Sequence, residues 1–318
     1  MAHAIETAQV GQTTLYVAKL GLGAAPLGDI WRPIPESQAI ETVHYALQHG
    51  VTFIDTAPYY GDGLSETRLG LALRGVPRDS YTLATKVGRV IRPGGGTEFD
   101  WSRDGVLRSF ESSLKRLQLD HVDILHLHDP DEGTYRQAIE EAYPTLAELR
   151  AQGVIKAVGA GMNWIDLQLR FAQDGQFDCF LLAGRYTLIE QGALAGLETF
   201  RRRGISVFGA GVYNSGILAG GSKSGAWYQY GAPPPAVIAK VEQLEALCAR
   251  FDVPLKAAAV QFVKAHPAMT ALIIGAESAA QLAETLQSYT APIPPEFWLA
   301  LRRSGLIDPA SPLPGAAQ

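Results

Sequence analysis

Four side chains able to carry protons stand in one order along the chain: Asp55, Tyr60, Lys86 and His128. The first two belong to the run Phe53-Ile54-Asp55-Thr56-Ala57-Pro58-Tyr59-Tyr60-Gly61, the third to Thr85-Lys86, and the last to Leu125-His126-Leu127-His128-Asp129-Pro130. A lysine kept charged by a carboxylate favours the phenolate of a tyrosine placed against it and lowers that tyrosine's pKa. A phenol tuned in this way serves as a general acid or base. Hydride delivery to a carbonyl needs a proton for the developing alkoxide, and oxidation of an alcohol needs the same proton removed, so Tyr60 suits both directions. Singly, each residue has a plainer reading: Asp55 as a helix cap, Lys86 as a buried cation, Tyr60 as a packed aromatic. Their joint order at expected strand ends favours chemistry.

These residues need elements to hold them. Short apolar runs rich in strand formers alternate with longer runs of helical period, the pattern of repeated βα units around a parallel sheet. Strands are expected at Leu20–Ala25, Thr52–Thr56, Tyr81–Val87, Val122–Leu127, Ile155–Ala160, Cys179–Ala183, Ile205–Ala210 and Ala271–Ile274. Helices are expected at Glu36–His49, Ser65–Arg74, Ser102–Leu117, Thr134–Ala151, Ala236–Phe251 and Ser278–Ser288. Ser65 with Glu66, and Ser102 with Asp104, read as helix starts, while Gly50, Gly75, Gly153 and Gly204 read as helix ends. Eight units predict a closed (β/α)8 TIM barrel, because closure leaves no strand edge unpaired. One domain is expected over residues 1–318, with a hairpin around Thr13–Val17 closing the barrel floor and a Pro-rich C-terminal tail. The loop Gly220–Pro235, with Trp227, Tyr228 and Tyr230, is expected to cover the site.

Strand alternation places Thr82, Ala84 and Lys86 on one face, and Val122, Ile124, His126 and His128 on one face of the next strand. His126 reads as an interior histidine and His128 as a rim residue.

Composition narrows the class. The chain is 47% hydrophobic and 19% charged with a formal net charge of -5, and its longest basic run is Arg201, Arg202, Arg203, so nucleic acid is not an expected partner. No apolar stretch reaches the length of a membrane span, and Met1–Val10 lacks the layout of a secretory signal; a cytoplasmic protein without a membrane partner is expected. The two cysteines, Cys179 and Cys248, lie in separate apolar segments and read as core residues. His126 and His128 form a His-x-His pair that a metal hydrolase would use, but His266 precedes the eighth strand and His3, His44, His49 and His121 lie elsewhere, so no metal is expected. Gly21-x-Gly23-x-x-Pro26 opens no βαβ unit and carries little dinucleotide signal.

In this order the motifs Asp55-Thr56-Ala57, Tyr60-Gly61, Thr85-Lys86 and His128 resemble those of the aldo-keto reductase superfamily, from about Leu20 to Ser288. The resemblance implies Tyr60 as catalytic acid or base, Lys86 and Asp55 as the pair that tunes it, and His128 as a substrate-orienting donor. It implies that Asn163, in Gly159-Ala160-Gly161-Met162-Asn163, binds a nicotinamide carboxamide, and that backbone amides of Ser215, Gly216, Ile217 and Leu218 meet the pyrophosphate. Gly275, Glu277, Gln281 and Glu284 would hold the adenosine end. Met162 and Ala183 depart from the Ser and Gln usual in the family, and small Ala210 and Gly211 replace the aromatic that stacks on nicotinamide, with Tyr213 nearby.

The finer likeness is to the aldose dehydrogenase branch, carried by Ala183-Gly184-Arg185-Tyr186-Thr187-Leu188 and Val212-Tyr213-Asn214-Ser215-Gly216-Ile217-Leu218. It implies a free sugar of the L-fucose or D-threo-aldose class, oxidised to a lactone. Trp31 and Trp101 are expected as pocket walls and Asp129 as a hydroxyl contact. Between Ala265 and Leu301 there is no Lys or Arg, and Glu277 would repel a 2′-phosphate, so NAD is expected over NADP unless a basic residue from another loop reaches in. Pyridoxal oxidation, NADPH-dependent carbonyl reduction and a non-catalytic nicotinamide-binding regulatory role are the alternatives the resemblance leaves open.

Overall fold

The computed structural model describes residues 5–315; His3 and the first residues of the Met1–Val10 stretch lie outside them. The described chain opens with an antiparallel hairpin, β1 (Thr7–Gln9) and β2 (Tyr16–Ala18). Eight parallel strands then close into a barrel: β3 (Leu20–Gly23), β4 (Phe53–Asp55), β5 (Thr82–Val87), β8 (Ile124–His128), β9 (Ala157–Met162), β10 (Cys179–Ala183), β11 (Ser206–Ala210) and β12 (Met269–Gly275), the last bonded back to β3. Between β5 and β8 a second hairpin, β6 (Arg89–Ile91) and β7 (Thr97–Phe99), stands on the mouth; the sequence gives it no turn signal beyond Gly94-Gly95-Gly96.

The barrel follows from two-residue alternation. Phe53, Ala84, Ile124, Cys179, Leu181, Phe208 and Ile273 point inward as one cluster, and Val10, Leu15, Val17 and Ala18 of the first hairpin join it from below. The floor is thus sealed by apolar side chains, as expected of that hairpin. Leu22, Ile54, Leu83, Leu125, Val158, Phe180, Val207 and Leu272 point outward against the helices. Phe53 and Phe208 meet edge to face across the interior, centroids 5.0 Å apart.

The helical layer comprises α1 (Glu36–Gln48), α2 (Leu64–Ala72), α3 (Arg103–Leu117), α4 (Tyr135–Gln137), α5 (Tyr143–Ala151), α6 (Ile165–Asp174), α7 (Leu194–Arg203), α8 (Ile217–Gly220), α9 (Pro235–Arg250), α10 (Leu255–Lys264), α11 (Ala279–Thr290) and α12 (Pro295–Arg303). The expected helix Thr134–Ala151 is interrupted by a π turn over Ala138–Ala142. Pro144, at the start of α5, has no N–H to continue the ladder, so the chain rewinds before it. Ser102 caps α3 through its side chain, which accepts from the Gly105 N–H.

Ser65 and Glu66 are a different case. The helix begins at Leu64 behind Gly63, and both side chains turn inward and are fully buried. The expected helix start is corrected: these residues brace the strand ends, as described below.

The interior rings set a stability test. Phe208→Ala removes one half of the Phe53–Phe208 contact from a fully buried site, and equilibrium denaturation is expected to show a loss of about 3–5 kcal/mol.

Candidate active site

The four proton-carrying side chains meet at the C-terminal mouth of the barrel. Asp55 closes β4, Lys86 is the penultimate residue of β5, and His128 closes β8. Lys86 Nζ donates to Asp55 Oδ1 at 2.6 Å, to the Thr56 carbonyl at 2.8 Å and to Tyr60 Oη at 3.2 Å, so three acceptors surround an ammonium with three N–H bonds. Tyr60 stands in the loop after β4. Gly61 turns that loop with φ of +65°, where a Cβ would lie 2.1 Å from the Gly28 carbonyl oxygen, so only glycine fits. The His128 ring meets Tyr60 edge-on, centroids 5.7 Å apart.

A second row of bonds fixes the strand ends. Ser65 Oγ donates to the Ala24 carbonyl at 2.8 Å and shares a 2.9 Å hydrogen bond with Thr56 Oγ1. Thr85, beside Lys86, donates to Glu66 Oε1 at 2.6 Å, and Arg116 Nε donates to Glu66 Oε2 at 2.7 Å. The loop after β3 is pinned by Arg68, which donates to the Leu27 and Ile34 carbonyls and pairs with Asp29.

Electrostatics assign the protons. Burial disfavours the Lys86 ammonium, but the Asp55 carboxylate and the Tyr60 oxygen outweigh it and raise its pKa above the ordinary lysine value. Burial pushes the Tyr60 phenol up to about 12; Lys86 pulls it down, and Asp55 adds to the rise. This corrects the expected net lowering: desolvation wins, and the phenol stays protonated at neutral pH. His128 lies well below its usual value through burial, with Lys86 and Arg89 adding to the effect, so its imidazole is neutral.

Around these groups lies a cavity of about 450 Å³ whose wall includes Trp31, Tyr59, Tyr60, Lys86, Arg89, His128, Asp129, Met162, Asn163 and Tyr230. Trp31 lines it as the sequence suggests. Trp101 does not: it is 2% exposed, packed beneath Gly88, where a Cβ would stand 1.9 Å from its ring. Its segment contributes Arg89 instead, a residue the sequence reading passed over because its only local signal is a charge beside a glycine. Tyr230, from the loop expected to cover the site, stacks on Trp31 with centroids 5.7 Å apart, so the loops after β3 and β11 meet above the mouth.

The residues expected at the cofactor run along one side. Asn163 and Ser215 line a crevice with Ala183, Arg185, Asn214 and Tyr230, and Asn214 Oδ1 is buried there with no partner. Arg185 Nε donates to the Asn163 carbonyl at 2.9 Å. Of the four amides expected at pyrophosphate, those of Gly216 and Leu218 donate to the Tyr213 carbonyl at 3.0 and 3.1 Å, which narrows that set to Ser215 and Ile217. Gly275 ends β12, and the Glu277 N–H donates to Gln281 Oε1 at 2.9 Å.

Two basic side chains do reach the segment expected to hold adenosine, from elements remote in sequence. Arg32 Nε donates to Glu277 Oε2 at 2.7 Å, and Lys256 Nζ to Glu284 Oε2 at 3.0 Å. The absence of Lys and Arg between Ala265 and Leu301 therefore does not leave the segment without cations. His126 lies inside the barrel, fully buried, both ring nitrogens unpartnered. Among the described residues no group of three or more His, Cys, Asp or Glu side chains is arranged to hold a metal, and no helix is long and apolar enough to cross a membrane.

A closed barrel whose mouth sets one phenol against a lysine–carboxylate pair is a scaffold for moving a proton in step with a second transfer. Residues 19–304 match the Aldo/keto reductase family, and the chain belongs to that family. It is an oxidoreductase, and its family works with nicotinamide cofactors. The chain is 35% identical to a D-threo-aldose 1-dehydrogenase from Pseudomonas sp, over 92% of this chain and 95% of that one. It is also 35% identical to a pyridoxal 4-dehydrogenase from Microbacterium luteolum, over 96% and 98%. The holo form of an aldo-keto reductase from Bacillus halodurans shares the fold, with a TM-score of 0.81 at 24% identity over 98% of this chain and 99% of that one.

The Tyr60 value fixes the sign of a pH dependence. The protonated phenol donates below about 12 and is lost above it, while the phenolate needed to accept a proton grows as pH rises. Alcohol oxidation is expected to accelerate from pH 7 to 10, by up to about tenfold per pH unit, with carbonyl reduction level over that range. An oxidation profile flat in pH would separate Tyr60 from the proton step.

Proposed function

We propose that this enzyme oxidises the anomeric carbon of a free aldose of the L-fucose and D-threo-aldose class to the lactone, with NAD accepting the hydride. One observation carries the reading: the Tyr60 phenol opens into a cavity with hydrogen-bonding charges at its rim, in a chain 35% identical to an aldose 1-dehydrogenase. Tyr60 takes the proton of the anomeric hydroxyl while C1 releases its hydrogen with two electrons, and the C1–O bond becomes the lactone carbonyl. Tyr60 must enter this step as the phenolate; Lys86 stabilises that base form before the proton arrives, and Asp55 holds Lys86 charged. The neutral His128 donates an N–H to the reacting oxygen.

The chain's own groups suit a nicotinamide dinucleotide. Asn163, beside the unpartnered Asn214 Oδ1, offers donors and acceptors to a planar carboxamide, and the bound cofactor would supply the hydride acceptor. Ser215 and Ile217 would meet pyrophosphate, with Gly275, Glu277, Gln281 and Glu284 at the adenosine end. Arg32 and Lys256 are each matched by a carboxylate, so a 2′-phosphate would have to break an ion pair and face the freed acid. Ribose hydroxyls would not, which supports NAD over NADP. Pyridoxal is the second reading, favoured by the aromatic walls Trp31, Tyr59 and Tyr230 and by the equal identity to the pyridoxal enzyme.

A screen of NADH formation with L-fucose, D-arabinose, L-galactose and pyridoxal, run with NAD and NADP in parallel, tests both parts. Turnover is expected with one of the sugars and NAD, and Tyr60→Phe is expected to retain cofactor binding while losing about 10²–10⁴-fold in kcat. Turnover of pyridoxal alone would favour the second reading; bound cofactor without turnover of any substrate would leave a regulatory nicotinamide-binding protein. Glu277→Gln frees Arg32, and the NADP to NAD ratio of kcat/KM is expected to rise about tenfold or more. An unchanged ratio would remove Glu277 from cofactor choice.

A further inference from the structure

In the wall of the cavity, Arg89 Nη1 donates to Asp129 Oδ2 at 3.0 Å. Arg89 is the first residue after Gly88, and its guanidinium lies 3.5 Å from the centre of the Tyr59 ring, with Phe99 on the same group at 5.5 Å. The stacked plane leaves the edge N–H bonds to be shared out, and one of five is taken by Asp129. Asp129 is held in a left-handed backbone conformation with φ of +49°, fixed by its N–H donating to the Gly161 carbonyl at 2.9 Å. A non-glycine residue in that conformation carries strain that the surrounding structure must hold in place. The turn sets the Asp129 carboxylate 3.7 Å from His128 Nε2, one side chain away from the reacting position.

The two side chains are 22% and 34% exposed, and both line the cavity. Their exposure is into the space a substrate would fill. Counting charges along that wall, Lys86 is matched by Asp55 and Arg89 by Asp129, so no surplus positive charge awaits a carboxylate or phosphate. What remains is a set of donors on Arg89 beside free lone pairs on Asp129, a complement to hydroxyl groups that both give and accept.

We propose that Arg89 and Asp129 act as a matched pair that reads a vicinal diol on the carbons next to the reacting carbon, making Arg89 a specificity-determining residue. The proposal rests on the aldose reading of the same site. Asp129 accepts from one hydroxyl and Arg89 donates to its neighbour, while Tyr60 and His128 hold the reacting oxygen. Anionic substrates are disfavoured because the pair is already neutral.

The test compares wild type with Asp129→Asn, Arg89→Met and Arg89→Lys on two substrates: the best aldose of the screen, and an aromatic aldehyde without hydroxyls in the reductive direction. The ratio of kcat/KM for aldose to aldehyde is expected to fall 10–100-fold in Asp129→Asn and Arg89→Met, chiefly through KM, with Arg89→Lys recovering part of it. A 2-deoxy aldose should lose its disadvantage in the same variants. Equal losses on both substrates would show a merely structural clasp and overturn the proposal. Inhibition of aldehyde reduction by a non-oxidisable polyol separates the two readings. Polyol inhibition that weakens in Asp129→Asn, with no aldose oxidised by wild type, would sustain the diol site and remove the aldose activity. Polyols that neither react nor inhibit would overturn the diol site itself.

Discussion

Taking an ammonium and a carboxylate out of water costs several kcal/mol per ion before their attraction is counted, and Lys86 and Asp55 both lie buried in the barrel mouth. The arrangement holds because the remaining Lys86 hydrogens find the Thr56 carbonyl and the Tyr60 oxygen, and because further hydrogen bonds tie the strand ends around them. Thr56 is tied through Ser65 to the preceding strand end, and Thr85 through Glu66 to Arg116 on the helical layer. The helices thus set the tolerance of the chemistry: the buried pair cannot drift without leaving a charge unmatched.

The same pair explains a balance that looks unfavourable in isolation. Lys86 draws the phenol toward ionisation, while burial and Asp55 push it the other way and win. A phenol kept neutral is a ready proton donor, and a positively charged nicotinamide ring beside it would tilt the balance toward the base form.

How far this was legible in the sequence divides by the range of the interaction. The eight barrel strands announce themselves through two-residue alternation, as in Ile124, His126 and His128, and through the glycines that end Glu36–Gln48 and Leu194–Arg203. The order of Asp55, Tyr60, Lys86 and His128 was equally visible, because each lies in a local motif. Ser65 and Glu66 misled, since a serine and an acid at a helix start look alike whether they cap the helix or turn inward. Trp101 misled because an aromatic after a strand can face the mouth or the hairpin behind it. Arg32, Arg89 and Lys256 were missed for one reason: each acts on a carboxylate far along the chain, at positions 277, 129 and 284, and no local pattern encodes such a meeting.

Trp31 and Arg32 are adjacent, yet they serve opposite ends of the groove. The indole lies flat on Tyr230 in the wall of the cavity around Tyr60, and the guanidinium next to it grips Glu277 beside the expected nucleotide base. A single peptide bond therefore separates the two contacts. Because both contacts sit on one loop, a substitution that repositions it would disturb the aromatic roof and the ion pair together.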